Sequence, residues 1–171
     1  MDIGRPRRTS VIETIASPVP DADMSARLRL PADVRSLAEG RDAVRRALRG
    51  EGWDREGAEL VVLAASEALT NAIEHGSVPG EPVEIEIAAA ADHAEIRVTD
   101  RGRPGAASPL GIPEPPPPDA ERGRGLIIMG ALADALEIGR AGRGTEVRLR
   151  FAAPAAPEAR TRPGRRALVP A

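Results

Sequence analysis

Ser66-Glu67-Ala68-Leu69-Thr70-Asn71-Ala72-Ile73-Glu74-His75-Gly76 is the stretch whose reading decides the fold of this chain. Val61, Ala65, Ala68, Leu69 and Ala72 recur at helical spacing and form a stripe that must face a core. Glu67 and Asn71 stand four residues apart, so they share one flank, a single turn from each other. They fall at the edge of the apolar stripe, where a pocket would meet the interior. A carboxylate that can take a proton, beside a carboxamide oxygen that can hold a hard cation, suits nucleotide-phosphate chemistry. By itself the pair is more simply read as a solvated flank. Three further segments change that balance.

Outward from this helix the chain alternates cleanly between periods. Residues 1–24 mix Pro, Ser, Asp and Arg without periodicity and are expected to lack fixed structure. Ala26–Leu30 alternates as a half-buried strand, and Asp33–Arg49 follows Pro31 with Val34, Leu37, Ala38, Val44 and Leu48 at helical spacing. Gly50 and Gly52 stop that helix. The next one starts at Asp54, an N-cap residue, and ends at Gly76. Val83–Ala89 and Glu95–Thr99 alternate again as strands around an Ala90–Asp92 turn. From Arg101 to Arg122 periodicity vanishes, and the four prolines Pro115–Pro118 mark a long loop. Leu126–Ala135 reads as a short apolar helix, then Ala135–Gly139 and Thr145–Phe151 as strands around Arg140–Gly144. This order predicts an α+β fold. It is a two-layer sandwich of an antiparallel-rich mixed sheet, with about three helices on one face.

Composition narrows the class. The 171 residues fit one domain, with residues 25–152 as its body and 153–171 as a disordered basic tail. Trp53 and Phe151 are the sole aromatic residues, so the core is built from Ala, Leu, Ile and Val, and base stacking on aromatic platforms is not expected. All 24 basic residues are Arg, which rules out a Walker-type phosphate loop because that loop needs a Lys. With no Cys there is neither a disulfide frame nor a thiolate metal site. Residues 153–171 carry Arg160, Arg162, Arg165 and Arg166 against Glu158, leaving the body mildly acidic and unsuited to direct nucleic-acid binding. No apolar run is long enough to cross a bilayer, and a cytoplasmic protein is the expectation.

Four separated segments supply the chemistry. Glu67 and Asn71 are the first. The second is Val98-Thr99-Asp100-Arg101-Gly102, where a strand runs into a tight turn. There Asp100 can accept from the exocyclic amine that adenine carries, and Gly102 lets the backbone approach a planar base. The third, Arg122-Gly123-Arg124-Gly125-Leu126, sets a Gly-x-Gly at a helix N-terminus, aiming N–H groups and the positive helix end at phosphate. The fourth, Gly144-Thr145-Glu146-Val147, opens the last strand with a hydroxyl for a base or a water. Singly each is a common turn or cap. Jointly and in this order they are specific.

On these residues the chain resembles the GHKL superfamily of ATP-binding domains and, within it, is similar to the anti-sigma-factor serine/threonine kinases. Glu67-x3-Asn71-Ala72-x2-His75-Gly76 matches the N box of that family. Asp100-Arg101-Gly102 matches its G1 box, Arg122 to Leu126 its G2 box, and Gly144-Thr145 its G3 box, across roughly residues 25–152. One departure stands out: the G1 box often carries a second Gly two residues after the first, and here that position is Pro104, with Gly105 next. The loop Gly105–Ala120 is proline-stiffened, unlike a usual mobile lid.

The resemblance implies ATP and Mg²⁺ as ligands, with Asn71 holding the metal and Glu67 as general base toward a protein hydroxyl or water. It implies Asp100, Gly102 and Thr145 at the adenine, and Arg122, Gly123, Arg124, Gly125 and Leu126 around the phosphates. It implies an anti-sigma-factor antagonist as substrate, a sigma factor as second partner, and relatives that often form homodimers. The alternative is a non-catalytic ATP-binding module that sequesters a regulator; a sensor histidine kinase is set aside for want of a phosphoacceptor hairpin before residue 25. His75 is read as capping helix carbonyls or meeting the helix dipole, and Glu74 as a solvated charge.

Overall fold

The computed structural model describes residues 8–14, 24–103 and 124–153, with side chains in the latter two stretches. Six strands and three helices follow in order: β1 (Arg8–Thr14), β2 (Met24–Pro31), α1 (Ser36–Gly50), α2 (Arg55–Asn71), β3 (Pro82–Ala89), β4 (His93–Thr99), α3 (Gly125–Leu132), β5 (Ala135–Ala141) and β6 (Gly144–Ala152). A π-helical turn, Ala72–Gly76, continues α2. The strands form one sheet in the order β1-β5-β6-β4-β3-β2. Every pairing is antiparallel except β1 with β5. The expected two-layer α+β sandwich, with helices on one face of a mixed sheet, is the observed architecture.

One expectation is corrected. Residues 1–24 do not wholly lack structure, because Arg8–Thr14 adds as a parallel strand along the outer edge of β5, and Met24 already belongs to β2. Thr9, Val11, Ile12 and Thr14 are β-branched, a composition that fits a pleated surface, while the absence of alternation hid the strand from pattern reading. Its partners are Leu136 for Thr9 and Ile138 for Val11. The Gly105–Ala120 loop, Pro104 and the tail from 154 lie outside the described residues.

The core is small-residue and aliphatic, as composition required. Leu30, Val83, Ile85, Ile87, Ile96, Val98, Leu136 and Leu149 point from the sheet to meet Val44, Leu48, Val61, Ala65, Ala68 and Leu69 of the helices. Asp54 caps α2, its Oδ1 accepting from the Gly57 N–H at 2.7 Å. The Trp53 indole N–H donates to Ala90 O at 2.8 Å, fixing the start of α2 at one end of the sheet.

The other sheet face is a ladder of cross-strand charges. Arg27 pairs with Glu86, Arg97 with Glu86 and Glu146, Arg148 with Glu137, and Arg150 with Glu95 at 2.8 Å. Arg97, Arg148 and Glu146 are buried in it. Burial pushes the Glu146 carboxyl above its ordinary range, while Arg97 and Arg148 oppose that rise. Ile96 sits fully buried on a central strand, so Ile96→Ala should lower unfolding stability by about 2–5 kcal/mol in denaturant titration.

Candidate functional site

The site is built around the second half of α2, whose buried face anchors in the core while its flank stays open. Glu67 and Asn71 are partly exposed on that flank, next to buried Ala68 and Leu69. Both side chains converge on the first residue of α3. A Cβ placed on Gly125 would lie 3.0 Å from Glu67 Oε2, 3.4 Å from Asn71 Nδ2 and 3.5 Å from Asn71 Oδ1. A side chain there would fill the space between carboxylate and carboxamide, so glycine keeps a cradle open where the two meet. The first N–H groups of α3 have no intrahelical partner, and the positive end of the helix dipole opens onto this point.

The second wall is Asp100, at the end of β4. It is 5% exposed, and its Oδ1 accepts the Gly102 N–H at 2.8 Å and the Thr145 N–H at 3.1 Å. Its own N–H donates to Thr145 O at 3.0 Å, and the Thr145 hydroxyl also bonds the carboxylate. The end of β4 is thus tied to the start of β6. Three glycines admit this packing. A Cβ on Gly76 would lie 2.2 Å from Asp100 Oδ2, and one on Gly144 would lie 1.9 Å from Asp100 O. Gly102 turns with φ +74, and a Cβ there would strike Arg143 O at 2.3 Å. Burial raises the Asp100 pKa above the usual carboxylate range, opposed by the hydrogen bonds from Thr145 and Gly102.

The π-helical turn connects the two walls, running from Asn71 at the cradle to Gly76 at Asp100. Arg103 clamps it. Its Nε donates to Ser77 O at 2.9 Å and its Nη2 to Glu74 O. Sequence reading had His75 capping helix carbonyls or meeting the helix dipole. The capping part of that reading is corrected, because the His75 ring is turned to solvent beside Glu74 and Arg103 holds the carbonyls of Glu74 and Ser77. Nothing in the sequence singled out Arg103 among so many arginines.

Of the sequence-predicted residues, Glu67, Asn71 and Gly125 meet at one wall, and Asp100, Gly102 and Thr145 at the other. Leu126 is partly buried against the core behind the cradle, and Arg124 is exposed at the N-cap of α3. Arg122 and Gly123 lie outside the described residues. Among the described residues no three acidic or histidine side chains gather as a metal cluster. A hard cation held by the Asn71 oxygen would take its other ligands from phosphate and water, which suits magnesium. No described helix is long and apolar enough to cross a membrane.

Two outcomes follow from this geometry. Gly76→Ala should cost about 1–3 kcal/mol of stability, read by denaturant unfolding, because Asp100 must shift to admit the methyl group. Asp100 holds its proton more tightly folded than unfolded. Its contribution to stability is full below the ordinary value of about 4 and is lost as pH rises through the raised native pKa. Asp100→Asn should therefore gain stability relative to the unaltered chain as pH is raised across that window.

A family model, the histidine kinase-like ATPase domain, matches residues 30–151. Among solved structures, the RsbU and RsbW domains of Rv1364c from Mycobacterium tuberculosis share the fold, with a TM-score of 0.57 and 24% identity. That match covers 76% of this chain and 33% of the other, so the chain spans about a third of that structure. A comparison with curated protein sequences finds no match. With the matched span containing both walls of the site, the chain belongs to the histidine kinase-like (GHKL-type) ATPase domain family.

Proposed function

We propose that this domain is an ATP- and Mg²⁺-dependent serine/threonine protein kinase of the anti-sigma-factor type. In this reading it phosphorylates a small antagonist protein, binds a sigma factor and so regulates transcription. The observation that carries the proposal is the meeting of Glu67 and Asn71 across the Gly125 cradle at the start of α3. The structural likeness to a protein with an RsbW domain supports it at the level of fold.

Each group has a task. Asp100 accepts from the adenine amine, with Thr145 and the Gly102 backbone fixing its carboxylate. The cradle N–H groups and Arg124 face the phosphates, joined in this reading by Arg122 and Gly123. Asn71 would hold Mg²⁺, which supplies charge neutralisation for the phosphates when bound. Glu67 takes the proton from the acceptor hydroxyl as its oxygen bonds to the γ-phosphorus and the bond to ADP breaks.

Saturation with ATP and Mg²⁺ at a hundred times the dissociation constant should add about 2.7 kcal/mol of stability, visible as a melting shift that GTP does not reproduce. Asp100→Asn turns an acceptor into a donor against the adenine amine and should weaken ATP binding about 10- to 100-fold by calorimetry. Glu67→Gln should keep the ATP shift yet lose transfer of labelled phosphate by about 100-fold or more. Full transfer by that variant would show the base to be elsewhere. An ATP shift with no transfer by the unaltered chain would point to a non-catalytic module that sequesters its partner.

A further inference from the structure

We infer that Arg103 is a positioning residue that couples the Asp100 wall to the Asn71 cradle, so that the magnesium-dependent part of nucleotide binding relies on its guanidinium. This rests on the ATP and Mg²⁺ reading above and deepens it by naming the group that keeps the two walls in register.

The helix that carries Glu67 and Asn71 ends without a cap of its own. The last carbonyls of a helix lack intrahelical partners, and a glycine in the left-handed conformation commonly closes such an end. Gly76 stands at that position, yet the described glycines with positive φ are Gly52, Gly80, Gly102 and Gly142. Ser77, the next residue, is extended at φ −123 and ψ 157. Gly76 is a glycine for another reason, since a Cβ there would lie 2.2 Å from Asp100 Oδ2. The end of the helix thus lies against the Asp100 wall and leaves its carbonyls to be capped from elsewhere.

Arg103 supplies those donors. Its Nε donates to Ser77 O at 2.9 Å and its Nη2 to Glu74 O. Ser77 is fully buried, so its carbonyl left without a donor would carry a desolvation cost. The origin of the cap is what links the two walls. Arg103 directly follows Gly102, whose N–H is bound to the Asp100 carboxylate at 2.8 Å. The group that closes the helix therefore belongs to the turn that a base would contact. Glu74 stands three residues past Asn71, within one helical turn of it. A base that orders the Asp100–Gly102 turn thereby orders, through Arg103, the backbone beside Asn71. With Nε and Nη2 engaged on carbonyls, Arg103 acts by holding backbone and not by meeting phosphate.

The test uses the full chain and ADP, titrated by calorimetry with Mg²⁺ in excess and again with a chelator. The quantity read is the gain in ADP affinity that Mg²⁺ confers. Arg103→Ala should cut that gain about fivefold or more, while affinity in chelator changes by less than about twofold. Loss of a merely structural contact would lower both affinities together and leave the gain unmoved, which overturns the coupling. Arg103→Gln sets an amide N–H where the Arg103 Nε stands, so it keeps the Ser77 bond without the charge. It should recover part of the gain that Arg103→Ala loses. Arg103→Gln no better than Arg103→Ala overturns the capping account and assigns the residue to its charge. Arg103 is exposed, so neither change leaves a cavity. Should Arg103→Ala fail to fold, a partial loss of the gain in Arg103→Gln against the unaltered chain is the expected result, and an unmoved gain overturns the role. A full gain in Arg103→Ala overturns the coupling and leaves the nucleotide reading standing. An unaltered chain that binds no ADP, or gains nothing from Mg²⁺, refutes the nucleotide reading and this role with it.

Discussion

The buried carboxylate of Asp100 is the interaction on which the rest of the site depends. A charged group at 5% exposure is costly unless donors surround it, and here they come from its own turn and from the start of β6. Those bonds tie the ends of β4 and β6 together without a side chain from either of the residues flanking the contact. Gly76 and Gly144 supply only backbone, which is why the carboxylate can lie between them. Arg103 then holds the π-helical turn in place through the carbonyls of Glu74 and Ser77. Moving any one of these pieces moves the distance between the two walls of the pocket.

The second constraint is the division of labour on α2. Its buried face is mostly Ala and Val, with Gly57 and Leu69, and the small residues let the helix lie close to β4 and β6. Its flank carries the acid and the amide. Keeping the opposite sheet face charged, with interleaved Arg and Glu, removes any rival surface on which these helices could pack. A widened helical turn after Asn71, in place of a straight continuation, swings Gly76 toward Asp100. Such π turns cost regular hydrogen bonding and are often found at functional sites.

Much of this was legible in residue order because local rules and tertiary demands agree. Asp54 before Arg55 caps a helix wherever it occurs, and Val83-Glu84-Ile85-Glu86-Ile87 can satisfy only a half-buried strand. Glu67, Asn71, Asp100, Gly125 and Thr145 were identifiable because each sits at an element end or flank that the pattern itself reveals. β1 was not legible. A parallel edge strand needs no alternation that sequence reading could detect, only a free neighbour, and that neighbour is far along the chain. Arg103 was not legible either, since its task is set by carbonyls that come near it only after folding.

The sequence by itself determined the elements, their apolar faces and the chemical identity of the groups available for a nucleotide. Those follow from periodicity, caps and side-chain type, which are properties of neighbouring residues. Tertiary structure alone decided that the acid and amide face Gly125, that Asp100 is desolvated, and that His75 is left to solvent while Arg103 caps the turn. These depend on which distant strands pair and how closely their backbones approach, and no local pattern encodes a distance between residues that are far apart along the chain.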